Sequence, residues 1–119
     1  MDADFRVWRL GPRALGVSGQ LDTLGVLPLE RAFADVSEAG DGPIFLDMSH
    51  LSFIDPEGIN GLIRGLRSLR EGCLVLHGVR GEVRKTLDSF ALHRLHRLHV
   101  IPCEERAPGA DVRRLSAHR

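Results

Sequence analysis

A change of apolar period near the middle of the chain limits the folds open to it more than any other feature. In Ile44-Phe45-Leu46-Asp47-Met48 the residues read as a strand, whereas Ile59, Leu62, Ile63, Leu66 and Leu69 recur at three- and four-residue intervals, as on one face of a helix. The change falls across Phe53-Ile54-Asp55-Pro56-Glu57-Gly58. Asp55 suits the N-cap, because its carboxylate can accept backbone N–H groups left unpaired in the first turn, and Pro56 suits the first helical position, where no N–H is needed. Glu57 then stands among free N–H groups. Negative charge there gains roughly 0.3–1 kcal/mol from the helix dipole, and a phosphate would be favoured for the same reason. Taken alone, these residues also describe an ordinary well-capped helix.

Around this junction strand and helix patterns alternate. Phe5, Val7, Leu10, Leu15 and Val17 suggest strands over 5–10 and 14–19, joined as a hairpin around Gly11-Pro12-Arg13. The spacing of Leu29, Ala32, Phe33 and Val36 predicts a helix from Pro28 to Gly40, with Asp41-Gly42-Pro43 as the break. A strand over 44–48, a helix over 56–70, a strand over 73–78, a helix over about 82–91 and a strand near 98–101 follow. Such an order implies one α/β domain. Its sheet would be mixed and mostly parallel, of about five strands, with the hairpin as an antiparallel edge and the helices packed against it. The 119 residues suffice for one core and not for two ordinary domains. We place the domain over 1–103 and a tail over 104–119, loosely ordered or carrying one short helical turn from Asp111 to Leu115 beyond Pro108-Gly109.

Composition removes several classes of function. Lys plus Arg equals Asp plus Glu at 16 each, so no overall field draws the chain to nucleic acid or to an anionic membrane. No apolar stretch approaches the roughly 20 residues of a membrane span, and Met1-Asp2-Ala3-Asp4 lacks the layout of a secretion signal, which makes the cytoplasm the expected compartment. Cys73 and Cys103 make neither a disulfide framework nor a four-ligand zinc site. His93, His96 and His99 would spread across a broad helical face with no carboxylate or cysteine to complete a tetrahedral set, so they read as surface residues. The run from Gly58 to Gly65 is rich in glycine but lies in a helix pattern and lacks the lysine of a phosphate loop. No nucleophile with a base, paired catalytic carboxylates or metal triad stands at a working spacing. The expectation is a protein that is not an enzyme and uses no cofactor.

Several segments, taken in order, carry a resemblance to a known family. Ser18-Gly19-Gln20-Leu21-Asp22 resembles a strand-ending turn into a first helix; Ile44-Phe45-Leu46-Asp47-Met48-Ser49 resembles a central strand, followed by Leu51-Ser52-Phe53-Ile54-Asp55. Leu74-Val75-Leu76-His77-Gly78-Val79 and Val83-Arg84-Lys85-Thr86-Leu87 resemble the next strand and helix. Together they resemble the STAS domain, the family of sulphate transporters and anti-sigma factor antagonists, over about residues 5–101. In the antagonists the junction usually reads Asp-Ser-Ser-Gly or Asp-Ser-Thr-Gly, and a kinase that is itself the anti-sigma factor phosphorylates the second hydroxyl. Here the tetrad is Asp55-Pro56-Glu57-Gly58, so Glu57 occupies the phosphosite and that switch cannot operate there. A carboxylate brings about one negative charge where a phosphoserine brings about 1.5 to 2, so mimicry of the modified state would be partial. Either Glu57 fixes a phosphorylated-like state, or it marks a domain that binds its partner constitutively. Ala91 stands where the family commonly has glycine.

The resemblance implies a regulatory module that binds a protein partner, a kinase-like anti-sigma factor, around the junction helix. Asp22, Asp55, Pro56, Glu57, Gly58, Asn60, Gly61, Arg64 and Arg67 are the residues expected to meet it. Arg64, Arg67 and Arg70 form a basic ridge, and Gly58, Gly61 and Gly65 thin the helix enough for another backbone to approach. Ser52, Thr86 and Ser89 are the hydroxyls left for modification elsewhere. No nucleic acid and no direct membrane insertion is expected; a weak homodimer is allowed. The same family includes accessory parts of sulphate carriers and lipid-export systems, and ligand sensing is a further alternative.

Overall fold

A computed structural model describes residues 4–38, 40, 42–69 and 72–102. Two strands, β1 (Arg6–Gly11) and β2 (Ala14–Leu21), form the antiparallel hairpin, turning at Pro12-Arg13. Then come α1 (Thr23–Ser37), β3 (Ile44–Ile54), α2 (Pro56–Ser68), β4 (Leu74–Val79), α3 (Gly81–Ser89), a short 3₁₀ turn over Leu92–Arg94, and β5 (Leu98–Pro102). The strands lie in sequence order, β1-β2-β3-β4-β5, with β2 to β5 mutually parallel. The sheet is therefore the mixed, mostly parallel one expected from the sequence.

This order decides where the helices go. Each crossover from β2 to β5 advances in the same direction across the sheet, and right-handed crossovers that all advance one way deliver their helices to one face. The core agrees. Leu15, Val17, Leu46, Met48, Leu74, Leu76 and Leu98 point from the sheet into a single buried cluster with Leu29, Phe33 and Val36 of α1, Ile59, Leu62 and Leu66 of α2, and Val83 and Leu87 of α3. Each such side chain contributes about 1.5–3 kcal/mol by leaving water.

Two elements differ most from the sequence reading. Helix α1 starts at Thr23 rather than Pro28, because Asp22 caps it, its Oδ1 accepting the Leu24 N–H at 3.1 Å; Pro28 lies inside the helix. It ends at Ser37, before the expected Gly40. Strand β3 runs on to Ile54 rather than stopping at Met48. The alternation fails there because β3 carries extra residues against β2: Gly16 pairs with Asp47 but Ser18 with His50, and Gly19 pairs with Leu51 but Gln20 with Phe53. Two bulges set the buried positions Met48, Leu51 and Ile54 three residues apart, a spacing that no strand period would suggest. Residues 103–119, including Cys103 and the whole of the expected tail, lie outside the described residues, as do Arg70 and Asp41.

Two arginines tie helix ends to distant loops. From the hairpin turn Arg13 donates through Nη1 to Val36 O at 3.0 Å and also to Gly40 O, through Nη2 to Gly42 O at 2.5 Å, and through Nε to Pro43 O at 3.4 Å. Arg97, just before β5, donates through Nη1 to Leu69 O at 3.3 Å and to Gly72 O at 3.1 Å beyond the end of α2. Both satisfy carbonyls that a helix leaves unpaired, and both place positive charge at the negative end of a helix.

Candidate functional site

The parallel pairing of β2 and β3 brings two helix starts side by side. Leu21 pairs with Ile54, so α1 and α2 both begin at the same end of the sheet, and the Asp55 N–H donates to Leu21 O at 3.2 Å. Asp55 caps α2 as the sequence implied, its Oδ1 accepting the Gly58 N–H at 2.9 Å, with Pro56 as first helical residue. Glu57 sits in the first turn of α2, exposed, as are Pro56 and Asn60. Asp22 and Asp55 are only half-exposed, each engaged at its own cap, so Glu57 is the carboxylate this end presents to solvent.

From that end α1 and α2 run alongside each other in parallel, matched at Val26–Gly61, Glu30–Arg64 and Phe33–Gly65. The glycines of α2 make this possible. A β-carbon at Gly58 would strike Leu21 O, one at Gly61 would lie 3.3 Å from Val26 Cγ2, and one at Gly65 would lie 2.5 Å from the Phe33 ring. The close approach expected of Gly58 and Gly61 is thus taken up within the chain, by α1 and the end of β2, and both residues are buried. Arg64 remains on the exposed side but is engaged, its Nε donating to Glu30 Oε2 at 2.7 Å across the helix pair. Arg67 is exposed farther along α2, about 15 Å of helix from Glu57.

Below the Arg64–Glu30 pair the groove opens into a hollow of about 390 Å³ floored by Phe33, Ala34 and Gly65 and flanked by Ser37 and Ser68. Its polar groups are spent internally: Ser37 Oγ donates to Phe33 O and Ser68 Oγ to Gly65 O.

This architecture can be set beside known proteins. A family model described as "Mlab, STAS domain" matches residues 8–100. The chain belongs to the STAS domain family. No curated protein matches it. Among solved structures, an anti-sigma factor antagonist from Mycobacterium paratuberculosis superposes with a TM-score of 0.61 at 18% identity, covering 98% of this chain and 94% of that one. The anti-sigma factor antagonist SpoIIAA in its unphosphorylated form gives 0.55 at 15% identity, covering 95% and 98%. The phosphorylated form of SpoIIAA, a Bacillus cell fate determinant, gives 0.53 at 15%, covering 94% and 99%. At such identities the likeness is one of fold.

Within this STAS domain some features of the site are legible only in three dimensions. Leu24, in the first turn of α1, is 86% exposed, and Leu27 is also exposed, so apolar surface lies beside the two helix starts. The only signal for them in the sequence is that both fall outside the spacing of the buried residues Leu29, Phe33 and Val36. On the opposite face of the sheet, Asp47 Oδ1 accepts both the Ser49 N–H at 3.0 Å and the Ser49 hydroxyl at 2.8 Å. Partial burial pushes the Asp47 carboxyl up, but the two Ser49 bonds and the nearby His77 and His50 outweigh it, and its pKa lies below the ordinary carboxylate value. His96 and His99 are exposed, the latter on β5; among the described residues no group of three or more His, Cys, Asp or Glu side chains is placed to hold a metal. Of the other hydroxyls considered, Ser52 donates to Gly19 O, Thr86 to Glu82 O and Ser89 to Lys85 O. Among the described residues no helix is long and apolar enough to cross a membrane.

Proposed function

We propose that this STAS domain is a cytoplasmic regulatory module, bacterial in type, that binds a kinase-like anti-sigma factor through the end of the molecule where α1 and α2 begin, and so acts on transcription by sequestration. The observation that carries the reading is Glu57: a solvent-facing carboxylate in the first turn of a helix capped by Asp55, at the position where the family resemblance puts the phosphorylated hydroxyl. The flanking groups suit a protein surface better than a small molecule. Leu24 and Leu27 supply exposed apolar area, and Asp22, Pro56, Asn60, Arg64 and Arg67 supply the polar surround. Gly58 and Gly61 act indirectly, by letting α2 lie close enough to α1 for one surface to span both helices.

With Glu57 fixed, affinity would not be switched by phosphorylation at this position. The test is to immobilise the wild-type protein and a Glu57→Ser variant, expose both to lysate from the source organism with ATP, and identify retained proteins and new phosphate by mass spectrometry. Retention of a kinase-like anti-sigma factor by both, with phosphate only on the introduced serine, supports the proposal. Retention of a membrane ATPase and its partners would replace it with the transporter-subunit reading, and retention of nothing would end it.

A further inference from the structure

We propose that the sheet face opposite α1, α2 and α3 is the contact surface of a homodimer, in which a second copy of this chain covers the apolar side chains that these helices leave open. Because α1, α2 and α3, the α-helices among the described residues, pack on one side, the opposite side is lined by alternate residues of each strand, and register defines its rows. Ala14, Phe45, Val75 and His99 form one; Trp8, Gly16, Asp47, His77 and Ile101 form the next, with Leu10 and Arg6 flanking Trp8 on β1. Trp8 lies across Gly16, where a β-carbon would be 2.6 Å from its ring. Trp8 is 40% exposed, Leu10 53%, Phe45 41% and Ile101 51%, so half of the large apolar side chains that the described chain exposes share this one face. Gly16, Asp47 and His77 separate Trp8 from Ile101, and Val75 beside Phe45 is only 9% exposed, so the apolar side chains share the face with polar ones; their gathering on one side of the sheet marks a contact surface.

Three observations favour a second copy as the occupant. An open sheet face can pack on another sheet, and a second copy of this chain supplies one of matching width. The chain has equal numbers of acidic and basic residues, 16 and 16, so no net repulsion opposes the approach of two copies. The face also carries both a cation, Arg6, and an anion, Asp47, so each copy can meet the other's charge with its opposite. Five strands at about 4.8 Å spacing give on the order of 400 Å² per copy, about half of a standard interface, which makes the dimer weak and dependent on concentration. It would leave the α1–α2 surface free and present two copies of it.

Trp8 is the sole tryptophan and reports directly on this face. Sedimentation velocity and tryptophan emission are to be followed on the full chain from roughly 10 μM to 1 mM. The expected result is a monomer–dimer equilibrium with a parallel blue shift of emission, weakened at least tenfold by Phe45→Glu and by Ile101→Glu but not by Leu24→Glu on the helix side, all variants being checked for folding by circular dichroism. A monomer throughout overturns the proposal, including one whose emission is blue at every concentration because residues 103–119 cover Trp8. So does a dimer that Phe45→Glu leaves intact, or one that Leu24→Glu abolishes.

Discussion

Two residues show how far single positions depend on context that the chain does not advertise. Ala91 follows α3 with φ 55° and ψ 37°, the left-handed conformation in which a β-carbon is crowded and glycine is not. Ala91→Gly should raise stability by about 0.5–1 kcal/mol, the relief of strain exceeding the added entropy of the unfolded chain, as measured by urea denaturation. Asp47 sets a pH dependence. Its folded-state pKa lies below the unfolded value, so it contributes stability above the unfolded pKa of about 3.9 that is lost as the pH falls through the folded value. Urea midpoints followed down through that range should fall less for Asp47→Asn than for the wild type; Ser49→Ala, which removes the hydroxyl donor but keeps the backbone one, should lie between them. Asp55 and Pro56 were legible because capping is chemistry between near neighbours. The contribution of His77 to Asp47 was not, since His77 reaches it only through the pairing of β3 with β4.

At the scale of elements, the lesson lies in the contact between α1 and α2. The sequence showed the amphipathic stripe of α2 and its three glycines, and suggested that something approaches them; it did not show that the visitor is α1. Which helix packs there depends on strand order. A prediction separates the glycines. Gly65→Ala should destabilise by about 1–3 kcal/mol despite alanine's better helix propensity, because the Phe33 ring, only 1% exposed, has nowhere to retreat. Gly61→Ala meets only Val26 at 3.3 Å and should lie within about 0.5 kcal/mol of the wild type, its propensity gain offsetting a slight crowding. Equal losses from the two variants, in chemical denaturation, would contradict this packing of α1 on α2. The element boundaries that the sequence misplaced have equally specific causes: Pro28 resembles a helix start but Asp22 holds the cap, and the bulges of β3 hide its second half from any two-residue period.

The molecule as a whole is polar along its strands. At one end stand the starts of α1 and α2, with Asp22 and Asp55 at their caps and Glu57 exposed; at the other, Arg13 and Arg97 collect the carbonyls around the ends of the same two helices. Each helix thus has an acid at its positive end and a guanidinium at its negative end, so the charge pattern agrees with both dipoles. The acids could be read locally. The arginines could not, because each reaches a helix end across at least 23 positions of sequence, and a lone arginine in a turn carries no sign of its destination. On the proposed function, this division would separate stability from recognition. Arg13→Met and Arg97→Met strand several half-buried carbonyls while keeping most of the aliphatic stem, and each should cost about 1–3 kcal/mol in urea denaturation. At concentrations of urea where the variants remain folded, their capture of the partner that retains the wild type should be unchanged, because the proposed binding end is built on β2, β3 and two local caps. Glu57→Lys should do the reverse, abolishing capture by reversing the exposed charge while lowering stability by no more than about 1 kcal/mol at the helix start. If the arginine variants lost binding in proportion to stability, the two ends would be one cooperative unit, and the proposed interface would have to extend beyond the helix starts.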